Sequence, residues 1–497
     1  MGLSPPRRRR VSRAAGDVSA ATVPGRRSRA ATRRRLAPFE SEPSVIAFVQ
    51  TPAGRAVLAA LFGGLLYLRL QQWMPLLFAA ASAWLPARYR RVVVATTGFG
   101  LVIADPFWFN MQIFSAIAAR EGVGGISGMA QYAAGLGLIA VCCGVTGFAA
   151  WRRTSLPARR PVLCQLTAQA ALMLLCGSGW FQGGVLIGLW AAVLILAPAM
   201  WFICYAIVDL RGPGPAAPLL RPFWSMSGTP FGKGWNYLSK FEAKTPEQLA
   251  VTQLKGTRLL AWALVLDAVR RVLVVTVHGQ AGVPVFATVM AVALRGGHSP
   301  WYICWASLIA AFAENLLEIS VWGHTVIAIA RFGGFRLLRN TYRPLESQTI
   351  AEFWNRYYFY FKELLVDFFF YPAFLRFFRK SEGLRIAFAT FIAACVGNMA
   401  YHFTRDSFYI STVGLKQAII GFQTYAFYCV MLTAGICISQ WRSRRRKPGA
   451  PSLRRRVTAS AGVMLFFCLL HVFDDERRTY SLMDHARFLL QMFGAGT

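Results

Sequence analysis

Two stretches carry the residues best suited to chemistry. The first reads IAEFWNRYYFYFKELLVDFFFYP, from Ile350 to Pro372. The second reads FATFIAACVGNMAYHF, from Phe388 to Phe403. In the second, Asn398 and His402 stand at i and i+4, so both project from one helix face. A neutral imidazole can take a proton near pH 7, and a neighbouring amide can orient it. In the first, at about 100° per residue, Glu352, Arg356, Tyr360, Glu363 and Asp367 fall within roughly 80° of one another. Asn355, Tyr358 and Lys362 make a second polar line beside them. Charges this dense in an apolar run face protein partners or a wet cavity. They read equally as a salt-bridged structural helix beside a core histidine.

These stretches need a membrane bundle to hold them. The 497 residues are 56% hydrophobic and 15% charged, with mean hydropathy +0.43. That composition excludes an ordinary soluble protein and predicts an all-α, polytopic transmembrane helical bundle. Apolar runs near 55–70, 72–87, 92–108, 127–151, 161–179, 183–209, 257–277, 283–295, 300–330, 386–404, 413–440 and 457–473 suggest about eleven spans, since several are too short to cross untilted. The net charge of +33 sits mostly in short connections and the first tail. This is a topology signal, not a nucleic-acid surface. It predicts a multi-pass membrane protein with the N-terminal tail, 210–256 and 442–456 cytoplasmic.

The chain divides accordingly. Residues 1–43 form a basic tail with too little apolar surface to fold. Residues 44–209 hold the first transmembrane segments, and 210–256 a cytoplasmic loop. A transmembrane core follows at 257–474, then a polar C-terminal tail at 475–497. Within the loop, Thr245-Pro246-Glu247-Gln248 reads as a capping box that starts a short helix. GTPFGKGW, from Gly228, fails as a phosphate loop: one residue is missing before Gly232-Lys233, and Gly234 stands where Ser or Thr is needed. No nucleotide cofactor is expected. Asp267 with Arg270 and Arg271 reads as a self-neutralising group. Glu314 and Glu318, one turn apart, require a proton or a nearby cation. Neither has histidines at ligand spacing, so no metal is expected. The ten cysteines are scattered through apolar segments and read as reduced.

The order of motifs over 315–405 resembles the membrane-bound O-acyltransferase (MBOAT) family, especially bacterial members that acylate polysaccharides. The matching pieces are AIARFGGFRL at 328–337, NTYRPL at 340–345, EFWNRYY at 352–358, FFFYP at 368–372 and His402. Tyr358 stands where the family has His or Asn, and His402 lies in GNMAYHF instead of Gly-x-Trp-His-Gly. The resemblance implies an MBOAT-like bundle. It implies acyl transfer from acyl-CoA or another acyl thioester to a hydroxyl of an envelope glycan or lipid. Membrane lipid and envelope-modification proteins are the expected partners. His402, Asn355, Tyr358 and Asn398 are the candidate catalytic residues. Trp354, Lys362, Arg356 and His324 are the candidate substrate-binding residues. The competing expectation is a non-catalytic protein of similar fold that scaffolds or exports an envelope polymer.

Overall fold

The computed structural model describes residues 39–93, 96, 111–124, 128–211, 233–297, 299–444, 452–474 and 480–494. Most of the basic tail, most of the 92–108 run, residues 228–232 of GTPFGKGW and residues 445–451 of the basic run at 442–456 lie outside them. Every regular element among the described residues is a helix. Their one β-type contact is an isolated antiparallel bridge, Glu242 to Phe335.

Seven described helical stretches are long and apolar enough to cross a membrane. They include α1 (Pro52–Leu70), α2 (Gly128–Trp151), α3 (Gly183–Asp209) and a 32-residue helix later in the chain. Two shorter apolar helices, Pro75–Trp84 and Pro161–Gly177, accompany them. Many large apolar side chains on these helices point outward, among them Leu61, Leu68, Leu136 and Leu163. Outward apolar faces on long helices are the pattern of a multi-pass integral membrane protein.

The central pair is α4 (Pro246–Val274) and α5 (Trp301–Phe332). Thr245 caps α4 as its sequence predicts, its Oγ1 accepting from Gln248 N at 3.1 Å. Gln248 Oε1 accepts in return from Lys244 N, not from Thr245 N. The helix is not short. It continues without a break into the next apolar segment, because Gly256, its one weak point, packs against α5. A Cβ there would lie 3.0 Å from the Ala328 carbonyl. Nearby, Gln253 Nε2 donates to Phe332 O at 3.1 Å. Phe332 is fully buried and stacks on Phe62 of α1 at 3.9 Å. Burying such a side chain contributes about 1.5–3 kcal/mol.

The stretch from Ile350 is not one helix. α6 (Ile350–Tyr357) stops, Tyr358 adopts φ −137° and ψ 70°, and α7 (Phe359–Leu365) begins anew. The physical reason lies in the preceding connection. Phe359 N and Tyr360 N donate to the carbonyl and Oδ1 of Asn340, at 3.0 and 3.2 Å. The carbonyls of Arg356 and Tyr357 accept from Tyr342 N at 2.8 Å and Thr341 Oγ1 at 2.7 Å. Residues 340–342 therefore satisfy backbone groups that an unbroken helix would pair internally.

Two further helices face this break. α8 (Glu382–Phe391) runs through a π-helical turn, Ile392–Gly397, into α9 (Asn398–Arg405). α10 (Gln423–Arg444) and α11 (Leu453–Leu470) close the group. π-Helical turns also occur at Val275–Gln280 and Val366–Phe370. Such turns concentrate at functional positions. Here they carry His278 and Asp367 and lead into Asn398.

Candidate functional site

The break at Tyr358 turns a wedge of aromatic side chains toward α9. The rings of Trp354 and Tyr358 lie 6.0 and 5.3 Å from that of Phe361. Phe361 in turn meets Tyr401 at 4.6 Å and His402 at 5.9 Å. On its other side His402 meets the Tyr425 ring at 4.4 Å. The Tyr425 hydroxyl donates to Asn398 Oδ1 at 3.2 Å. Asn398 is fully buried, and its Nδ2 has no hydrogen-bond partner among the described residues.

This group holds a half-buried imidazole, a tyrosine bonded to a buried amide, and an amide N–H that points to no described acceptor. An imidazole so placed can accept a proton, and a buried amide donor can bind a developing negative oxygen.

The other sequence candidates lie elsewhere. Asn355 is exposed on α6, while Trp354 beside it packs inward. Arg356 pairs with Glu352 at 2.6 Å and also donates to the Arg343 carbonyl at 3.3 Å. Lys362 is bonded to Glu363 and stands 4.7 Å over the Phe359 ring. His324 is buried on α5, beside Gly323, against which Asn340 packs. The predicted five-residue charged face is thus split by the break. Glu352 and Arg356 form one pair, Tyr360 is buried, and Glu363 and Asp367 join a separate cluster.

That cluster centres on Lys233. Its Nζ lies 2.7 Å from Glu363 and 3.0 Å from Asp367. Burial works against its charge, but Asp367 and Glu363 outweigh burial and raise its pKa. Burial alone would raise Glu363 too; Lys362 and Lys233 reverse this and lower it. For Asp367 burial wins over Lys233, and the pKa stays above the ordinary value. Asp209 completes the corner. Its Oδ2 accepts from Asn236 N at 3.1 Å, and a Cβ at Gly234 would collide with its carboxylate. Lys233 and Gly234 therefore serve an ion-pair corner, and this explains the glycine that defeats the phosphate-loop pattern.

A partner for Glu314 that becomes a cation on protonation is also present. His278 Nε2 lies 2.8 Å from Glu314 Oε1, while Nδ1 lies 2.7 Å from the Val283 carbonyl. A carbonyl only accepts, so Nδ1 carries its hydrogen, and the pair shares a further proton between Nε2 and the carboxylate. Glu318 lies within electrostatic reach of Arg69. Asp267 pairs with Arg271 at 3.0 Å and Arg270 at 3.5 Å, as its spacing predicts. Sequence reasoning missed His278, Tyr425 and Lys233. The unpaired glutamates were a signal for a cation such as His278; Tyr425 left none, since its role depends on packing between distant helices.

None of the ten cysteines is in a disulfide. Among the described residues no group of three or more His, Cys, Asp or Glu is placed to hold a metal ion. No protein-family model matches the chain, and neither does any curated protein sequence.

Proposed function

We propose that the chain is a membrane-bound O-acyltransferase that moves an acyl group from a thioester to a hydroxyl of an envelope glycan or lipid. The observation that carries this reading is the His402–Tyr425–Asn398 group at the break of the 350–372 stretch. His402 takes the hydroxyl proton as oxygen attacks the thioester carbonyl. The Asn398 amide N–H, buried and without a described partner, is the donor for the developing oxyanion. Collapse of the tetrahedral intermediate breaks the carbon–sulfur bond, and the proton passes from His402 to the thiolate. In this reading Trp354 and Tyr358 line the acyl path. Asn355 has no part in the reacting group.

The proposal includes about eleven spans, the seven long stretches among them. It places the tail, 210–256 and 442–456 in the cytoplasm of a bacterial cell, inside the inner membrane. The arginine clustering supports that orientation. Reporter fusions at these three places should all read cytoplasmic; any two on opposite sides would defeat the topology.

One observation favours the non-catalytic alternative: tyrosine, not His or Asn, occupies position 358, at the helix break, where its ring lies 5.3 Å from that of Phe361. Labelled acyl-CoA incubated with membranes containing the protein separates the readings. Label should reach glycan or lipid with intact His402 and not with His402→Ala. A cell-envelope phenotype unchanged by His402→Ala, with no label transferred by either protein, would support the scaffold.

A further inference from the structure

We infer that Arg258, Arg331 and Arg339 form a phosphate-binding site where α4, α5 and the 333–349 connection meet, with the buried Asn340 amide as a neutral donor beside them. The argument is one of charge. Arg258 is paired with Glu40, which is 4% exposed. Arg331 is half-buried at the end of α5, and its Nε and Nη2 both donate to the Leu337 carbonyl, at 3.0 and 2.7 Å. Arg339 is half-buried and stands 5.7 Å over the Tyr342 ring.

The three guanidinium groups lie within electrostatic reach of one another. Among their strongest electrostatic neighbours Glu40 is the one carboxylate, and it is already paired with Arg258. Gathering like charges in a half-buried corner is costly unless an anion balances them. For Arg339, burial and then Arg258 hold the pKa below the ordinary guanidinium value.

Two buried polar atoms on residues neighbouring these arginines have no hydrogen-bond partner among the described residues. Asn340 is 1% exposed, and while its Oδ1 accepts from Tyr360 N, its Nδ2 has no partner among the described residues. His324 is 7% exposed with an unpartnered Nδ1, and Arg339 and Arg331 are its charged neighbours. Several guanidinium forks and a neutral N–H suit a tetrahedral oxyanion with acceptors on every side. A single carboxylate would leave most of those donors unmatched. A phosphate monoester of a soluble nucleotide-type donor and an anionic lipid headgroup both carry this chemistry.

The test uses the full chain in phosphatidylcholine nanodiscs. One arm measures binding of coenzyme A against its 3′-dephospho form. The other counts phosphatidylglycerol molecules retained when that lipid is added. Arg339→Gln and Arg258→Gln should each weaken binding of one probe by about tenfold, the usual scale for one charge-assisted contact. Arg336→Gln, an exposed arginine of the same connection, should leave it unchanged. Loss in the coenzyme arm assigns the site to a soluble donor, and loss in the lipid arm assigns it to a headgroup. Thermal unfolding confirms that each variant is folded; if Arg258→Gln is not, because Glu40 has lost its partner, Arg339→Gln decides. Binding of neither probe, or binding that folded Arg339→Gln leaves intact, overturns the site. Both arms read binding without turnover, so the result stands apart from the acyl-transfer reading.

Discussion

His278 and Glu314 meet across two helices at 2.8 Å, with the imidazole held in register by its bond to the Val283 carbonyl. Burial pulls the His278 pKa down, but the Val283 carbonyl and Glu314 outweigh burial and leave it above 6.5. A raised folded-state pKa gives stability that is complete below the unfolded value and is lost as pH rises through the folded value. Thermal unfolding in detergent should therefore fall as pH rises above about 6.5. Glu314→Gln should flatten that decline. A wild-type curve with no slope in this window would show that the pair does not titrate there.

Gly323 admits Asn340, and Asn340 holds the break at Tyr358. A Cβ at position 323 would stand 2.7 Å from Asn340 Nδ2. Gly323→Ala should displace the side chain that accepts from Tyr360 N. The expected loss is about 1–3 kcal/mol, the cost of leaving a buried amide unsatisfied. Thermal unfolding of the purified variant measures it, and Gly64→Ala, where a Cβ meets nothing within 4 Å, is the control.

Lys233→Met should be more damaging than its place near the end of a long loop suggests. It leaves Glu363 and Asp367 facing each other without the ammonium that both contact. About 3 kcal/mol is expected for breaking such a buried pair. The double variant Lys233→Met/Asp367→Asn should recover part of this. No recovery would mean that the corner depends on the lysine for packing, not charge.

Arg356→Ala tests an expectation that the structure reduces in size. From sequence, Arg356 balances buried carboxylates, and its loss should lower the amount of folded protein. In the fold its partner Glu352 is 33% exposed at the side chain, and Arg356 itself 27%. Screening limits such a pair to about 1 kcal/mol or less. Folded yield from membranes should drop only slightly. A collapse in yield would restore the larger structural role.

Tyr425→Phe removes the hydroxyl that Asn398 accepts while keeping the ring against His402. Stability should fall by about 1–2 kcal/mol, because the Asn398 oxygen stays buried without its donor. Under the acyl-transfer proposal the turnover rate should also fall, with little change in apparent affinity for the thioester. A rate unchanged in a folded variant would remove Tyr425 and Asn398 from the reacting group.

The membrane class, the helix starts and the local ion pairs were legible because each depends on neighbours in sequence. Thr245 caps its helix, Glu352 meets Arg356, and Asp267 meets Arg270 and Arg271. The break inside 350–372 was not legible. Helical periodicity runs unbroken through Tyr358, and only the amide-binding groups of 340–342 reveal that the chain turns there. The partners of Lys233 and Glu314 stand 130 and 36 residues away from them. No local pattern encodes such distances. The cluster of His402 and Asn398 was readable as two residues on one face, whereas Tyr425 entered only through helix packing.

The π-helical turn at Ile392–Gly397 has a consequence for His402. A π turn accommodates one residue more than the α-helix it interrupts, so the helix beyond it is rotated by about 100° from where plain α geometry would leave it. His402 faces Tyr425, and Asn398 meets the Tyr425 hydroxyl, only because that extra residue is there. Deleting Val396 would let the segment relax to ordinary α-helix while leaving every residue named in the cluster present. Its imidazole would then swing toward a different neighbour. Insertion and deletion, not substitution, are thus the changes to which this helix is most sensitive.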